Sequence, residues 1–156
     1  MKHLIFIALS SSLLIVSRCS ERKNPNLLHS DEFATKAERV KSLKSNIKWP
    51  SEFEDAEFEL FNVNGFSNSR MNVPGASSLD YRFAIKVKAS DIDKWTEGMI
   101  KAVPDEKTLD WTKTITEKKN QWKTKSTPEF YKREKDDVLM IVYRTEGALY
   151  KRVIQN

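Results

Sequence analysis

One cysteine, two histidines and four glycines are all the chain holds of the residues on which most recognisable chemistry is built. With Cys19 alone, no intramolecular disulfide can form, so packing must hold the fold even in an oxidising compartment. His3 stands at the extreme N-terminus and His29 in a polar stretch, which leaves no His/Cys metal cluster and no base for a Ser-His-Asp or Cys-His arrangement. There is no glycine-rich phosphate loop. The carboxylate pairs Asp91/Asp93 and Asp136/Asp137 are explained by a helix start and a surface turn without acid–base work. The expectation is a protein that is not an enzyme, with no catalytic, cofactor-binding or metal-binding residue.

Charge of one sign is also scarce. The whole chain carries 27 basic and 22 acidic residues, a formal +5. Lys2 and Arg18 fall in the first eighteen residues, so the remainder holds 25 against 22, or +3. Such near-balance offers no case for nucleic acid as a partner.

What is present in strength is an N-terminal pattern, MKHLIFIALSSSLLIVSRCS. A basic start (Lys2, His3) precedes an apolar run from Leu4 to Val16, thirteen residues long and interrupted by Ser10, Ser11 and Ser12. A bilayer core about 30 Å thick needs roughly twenty apolar residues of helix, so this run reads as an export signal rather than a span. Cys19 follows directly. The segment Val16-Ser17-Arg18-Cys19-Ser20 resembles the signal of bacterial lipoproteins, in which the cysteine is acylated and becomes the new N-terminus. Arg18 departs from that pattern, which carries Gly, Ala or Ser before the cysteine. The resemblance covers only the leader. It implies a membrane partner through lipid on Cys19, and Ser20 after the cysteine implies the outer membrane, facing the periplasm. An uncleaved anchor, ordinary signal-peptidase cleavage to a periplasmic or secreted protein, and a free thiol are the alternatives.

Removing residues 1–18 leaves 138, one domain and a tether. Residues 19–29 hold Pro25 and no periodicity, and read as the lipidated cysteine with a flexible tether. The domain is then 30–156. Phe33, Ala37, Val40, Leu43 and Ile47 lie near one helical face, so 31–45 is expected to be a helix capped by Ser30 or Asp31. Trp49-Pro50 stops it. Residues 56–63 alternate as a strand within an acidic stretch, and 64–79 form a long loop, either a crossover or a binding loop. Residues 81–88 alternate most clearly of all. A helix begins at Ser90 with Ile92, Trp95 and Met99 inward, and Gly98 within it suggests close packing. Strands follow at 130–134, 138–143 and 149–154, the last two joined by a turn at Thr145-Glu146-Gly147.

The fold class is therefore α+β: an antiparallel sheet of four to five strands packed on one face against two or three helices, preceded by a signal peptide and tether. Between Asp110 and Lys135, eight basic and four acidic residues interleave with aromatics. Trp111, Lys113, Lys118, Lys119, Trp122 and Lys123 are the candidate partner or anion surface, and the plainer alternative makes the tryptophans the edge of the core. Two functions remain open. One is a lipid-anchored envelope binding module in an accessory, inhibitor or immunity-type role, with an envelope protein as partner. The other is an envelope domain binding a small apolar or anionic ligand such as a lipid or lipopolysaccharide.

Overall fold

Alternation of apolar and polar side chains builds the centre of the molecule. The computed structural model describes residues 24–66, 78–103, 111, 112, 115, 122–133 and 137–155. The strands are β1 (Leu27–His29), β2 (Phe53–Asn62), β3 (Leu79–Val87), β4 (Ile100–Lys101), β5 (Glu129–Arg133), β6 (Asp137–Tyr143) and β7 (Ala148–Gln155). They form one antiparallel sheet in the order β1-β2-β3-β7-β6-β5-β4. The α+β class holds, but the sheet has seven strands rather than four to five. The two unforeseen strands are three and two residues long. Segments that short carry no alternation and exist only through pairing with β2 and β5. The ordered sheet thus begins at Leu27, inside the stretch expected to be a tether, and Leu28 packs against the core.

Two α-helices accompany the sheet among the described residues, α1 (Lys36–Lys44) and α2 (Ile92–Thr96). The start of α1 is not at Ser30 or Asp31, which lie in a short 3-10 turn, but at Thr35. Thr35 Oγ1 accepts from the Glu38 N–H at 3.2 Å while the Glu38 carboxylate accepts from the Thr35 N–H at 3.0 Å, a reciprocal cap. Helix α2 is shorter than expected because Gly98 takes φ +71° and turns the chain into β4. A Cβ there would meet nothing within 4 Å, so its role is the turn, not close packing. Gly147, as the turn required, has φ +62°. It also lies so close to β3 that a Cβ would sit 2.2 Å from the Val87 carbonyl oxygen.

Each sheet face has its own apolar cluster. Phe53, Ala56, Phe58 and Leu60 of β2 join Phe83 and Ile85 of β3, Leu149 of β7, Met140 and Val142 of β6 and Tyr131 of β5 beneath Leu43 of α1 and Ile92 and Trp95 of α2. A bulge between Phe53 and Asp55 keeps Phe53 and Ala56 on that same face, and it hid the first residues of β2 from an alternation reading. Each fully buried Phe or Leu there contributes about 1.5–3 kcal/mol. The opposite face is also covered, contrary to the one-sided arrangement expected. Ala84, Ile141, Ala148 and Tyr150 lie there under Trp111, Ile115 and Trp122.

The order of strands explains where an open site can form. The chain leaves β3 near the middle of the sheet and must reach β4 at its far edge. Helix α2 makes that crossing on the first face, with Ile92 and Trp95 turned into it. Five residues of helix roof only part of the strands they cross.

Candidate functional site

The exposed border of that roof is marked by a lysine in an apolar register. Along β7, Leu149 faces the helix-covered core, and Lys151 is the next residue of the same face. Lys151 stands opposite Phe83 on β3 and Met140 on β6, both buried. Its side chain is half-buried, and its Nζ lies 5.8 Å from the centroid of the Trp95 ring. Burial, reinforced by the charge of Arg133, pulls the ammonium down to about 8. Among the described residues no carboxylate pairs with it.

Three segments wall the hollow into which this lysine reaches. The connection from α1 to β2 supplies Lys48, Trp49 and Pro50. The end of α2 supplies Lys94, Trp95, Glu97 and Gly98, and β5 supplies Arg133. The hollow is open to solvent and has a volume of about 420 Å³, within the usual range for a small-molecule site. Trp95 is held in place by its indole N–H, which donates to Ser51 Oγ at 2.8 Å. Trp49 remains 42% exposed, with Lys44 Nζ 4.7 Å from its ring centroid and paired to Glu52. Lys94 is paired with Asp91 at 2.7 Å, whereas Lys48 has no carboxylate partner among the described residues. Among the described residues, four cations and one carboxylate line the cleft, beside two indole rings. Chemically, it is suited to hold a negatively charged group next to a flat apolar one.

A second hollow of about 320 Å³ lies between β5, β6 and β7, lined by Lys132, Arg133, Asp137 and Arg152 among others. One of its cations is already committed. Arg152 donates to Asp80 at 2.8 and 2.9 Å, and Arg82 donates to the same carboxylate at 2.6 and 3.0 Å. Burial pushes Asp80 up, but the hydrogen bonds from Arg152 and Arg82 outweigh it and hold the carboxyl below its ordinary range.

The residues singled out from sequence are distributed differently. Cys19, Lys113, Lys118 and Lys119 lie outside the described residues, as does most of the 64–79 loop. Trp111 and Trp122 are brought together, but in the core of the second face, 6% and 4% exposed. Lys86 Nζ lies 5.6 Å from the Trp122 ring centroid, and Lys123 is exposed. Asp91 pairs with Lys94, and Asp93 accepts from Arg144 at 2.9 Å. The acidic stretch meets Lys44, Arg39 and Arg82, through Glu52, Asp55 with Glu57, and Glu59. Sequence reasoning missed Lys48, Trp49, Arg133 and Lys151 as a group. One signal was readable: Lys151 occupies an inward position two residues after Leu149.

Among the described residues, no three His, Cys, Asp or Glu side chains stand close enough to hold a metal ion, and no helix is long and apolar enough to cross a membrane. No family model, curated protein or solved structure matches this chain.

Proposed function

We propose that this protein is an exported binding module, held at the cell envelope by lipid on Cys19, that recognises an anionic group in the cleft around Lys151. The observation that supports recognition is the half-buried Lys151, which pairs with no carboxylate among the described residues. A desolvated cation raises the energy of the empty site, and an incoming anion removes that cost. The leader supports the anchor: acyl chains contribute about 0.8 kcal/mol per buried methylene, and a triacylated cysteine carries enough of them for stable attachment. Ser20 after Cys19 favours the outer membrane, facing the periplasm.

Binding accounts for the site better than catalysis does. A lysine of lowered pKa is also the group that forms imines with carbonyl compounds. Here its neighbours Arg133, Lys48 and Lys94 favour a negative charge over a neutral carbonyl, and among the described residues Glu97 is the one carboxylate on the wall. The anion can be a free ligand or a group on an envelope partner.

Envelope fractions of wild type, Cys19→Ala and Lys151→Met test both halves, with a photo-crosslinker placed at position 49. Wild type should show an intact mass for a triacylated chain starting at Cys19, and Cys19→Ala should lose that mass and its membrane association. Lys151→Met should keep the anchor and lose the crosslink. An unmodified mass in the soluble fraction would remove the anchor, and a crosslink indifferent to Lys151→Met would remove the cleft.

A further inference from the structure

Charge and shape narrow the class of anion. Two of the cations on the wall, Lys48 and Lys151, have no carboxylate partner among the described residues. A monocarboxylate would balance one of them and leave the other uncompensated. A phosphate monoester carries about −1.5 to −2 near pH 7, with three acceptor oxygens for charge-assisted hydrogen bonds, and balances both. A phosphodiester, with one charge, does not. The volume of about 420 Å³ exceeds what phosphate alone requires. The remaining space is bordered by Trp49, whose indole is 42% exposed and steadied by Lys44 at 4.7 Å. Such a surface stacks on a flat or ring-shaped carrier.

We infer that the cleft binds a phosphate monoester whose carrier lies against Trp49, with Lys48 and Lys151 holding the phosphate. This rests on the anion-binding reading above and names its ligand class. The lowered pKa of Lys151 agrees with it, since a bound dianion restores the proton that burial and Arg133 disfavour. A phosphomonoester occurs both on soluble metabolites and on membrane lipids with a terminal phosphate, and the cleft chemistry is common to the two.

The test is a titration of the full chain in detergent, read by tryptophan fluorescence and by amide shifts at Lys48, Trp49 and residues 94–98. Probes are phenyl phosphate, inorganic phosphate and benzoate. Vesicles containing phosphatidic acid (a monoester) or phosphatidylglycerol (a diester) form a separate arm, with the full chain carrying Cys19→Ala so that no acyl anchor inserts into both alike. Phenyl phosphate should bind at least tenfold tighter than benzoate and tighter than inorganic phosphate. Lys48→Met and Lys151→Met should each weaken it at least tenfold. Lys48 is exposed, so its variant retains the fold whatever happens at Lys151. Binding to phosphatidic acid vesicles that is lost in these variants assigns a lipid source, and binding confined to phenyl phosphate assigns a soluble one. Equal binding of benzoate and phenyl phosphate, or of the two vesicle types, overturns the monoester while leaving an anion site. No binding by any probe overturns both readings.

Discussion

Two regions of this molecule take charge out of water, and they treat it in opposite ways. At the β2 edge, Arg39 of α1 is 8% exposed, and its Nε–H donates to the Ala56 carbonyl at 3.0 Å. Its guanidinium meets Asp55 at 3.1 Å and Glu57 at 3.3 Å, and Ser30 Oγ–H donates to Glu57 at 2.7 Å. The clamp covers the part of β2 that β1, pairing only at residues 59–61, leaves open. In the cleft, Lys151 has an indole and an arginine for neighbours and, among the described residues, no carboxylate paired with it. The paired cluster serves the fold. Among the described residues the lysine makes no ion pair, and that contrast with Arg39 is the ground on which the proposed anion site rests.

The largest expected effect would break the first half of that contrast. Arg39→Ala leaves two buried carboxylates facing each other and an unmet Ala56 carbonyl. The loss should be about 3–5 kcal/mol, typical of breaking a buried pair by removing one partner. Urea unfolding measures it. A loss below about 1 kcal/mol would mean that water already reaches the cluster and that the two regions do not differ in kind.

The next effect has the opposite sign. Lys151 titrates near 10.5 in the unfolded chain and about 8 in the folded one. Between those values the unfolded state binds more protons, so the cost of the buried ammonium is present in full below pH 8 and relaxes as pH rises toward 10.5. Lys151→Met should therefore stabilise the protein at pH 7, by about 1–2 kcal/mol once partial exposure is allowed for, and the advantage should shrink by pH 10. The groups facing it are Arg133 from β5, Lys48 from the α1–β2 connection, and Lys94 and Glu97 from α2 and its end. Comparing variant with wild type at each pH cancels their titration and that of Tyr131, which burial pushes up, as its hydrogen bond to Glu129 also does. Destabilisation at pH 7 would show that the lysine stem packs more usefully than its charge costs.

The contrast also marks where sequence reading succeeds. Strand β3 was legible because Phe83 and Ile85 alternate with Arg82 and Lys86 along it, although Ala84 on the second side is buried in a cluster of its own. The final hairpin was legible because the apolar run of β6 meets a glycine turn. Local rules missed what pairing creates: β1 and β4, too short to show a pattern, and the bulge that delays β2. The cap of α1 was misplaced although Thr35 and Glu38 spell a capping box, because Ser30 and Asp31 are equally good caps in isolation. The cleft was illegible for a stronger reason. Lys48 and Lys151 lie at opposite ends of the domain and meet only because β7 inserts beside β3. The indole-rich basic segment drew attention instead, yet its Trp111 and Trp122 are core.

The smallest effect sharpens the comparison from a third place, where charges pair in view of solvent. Arg144 donates to Glu129 at 2.9 and 3.3 Å and to Asp93 at 2.9 Å, tying the α2 region to β5. Those hydrogen bonds, then that of the Tyr131 hydroxyl, hold the Glu129 carboxyl down at about 2 against the opposing pull of burial. A depressed carboxylate contributes stability that is complete above its unfolded value of 4.5 and is lost as pH falls through about 2. Arg144→Ala should thus cost less than about 1 kcal/mol at neutral pH, since the arginine side chain is 40% exposed, and its deficit should fade toward pH 2. Acid titration of variant and wild type, followed by circular dichroism, gives the difference directly. A deficit rivalling that of Arg39→Ala would mean that burial is not what separates structural charge from ornamental charge here. The lack of an ion pair at Lys151 among the described residues would then be the stronger of the two arguments for the proposed anion site, because it does not depend on how deeply the pairs elsewhere are buried.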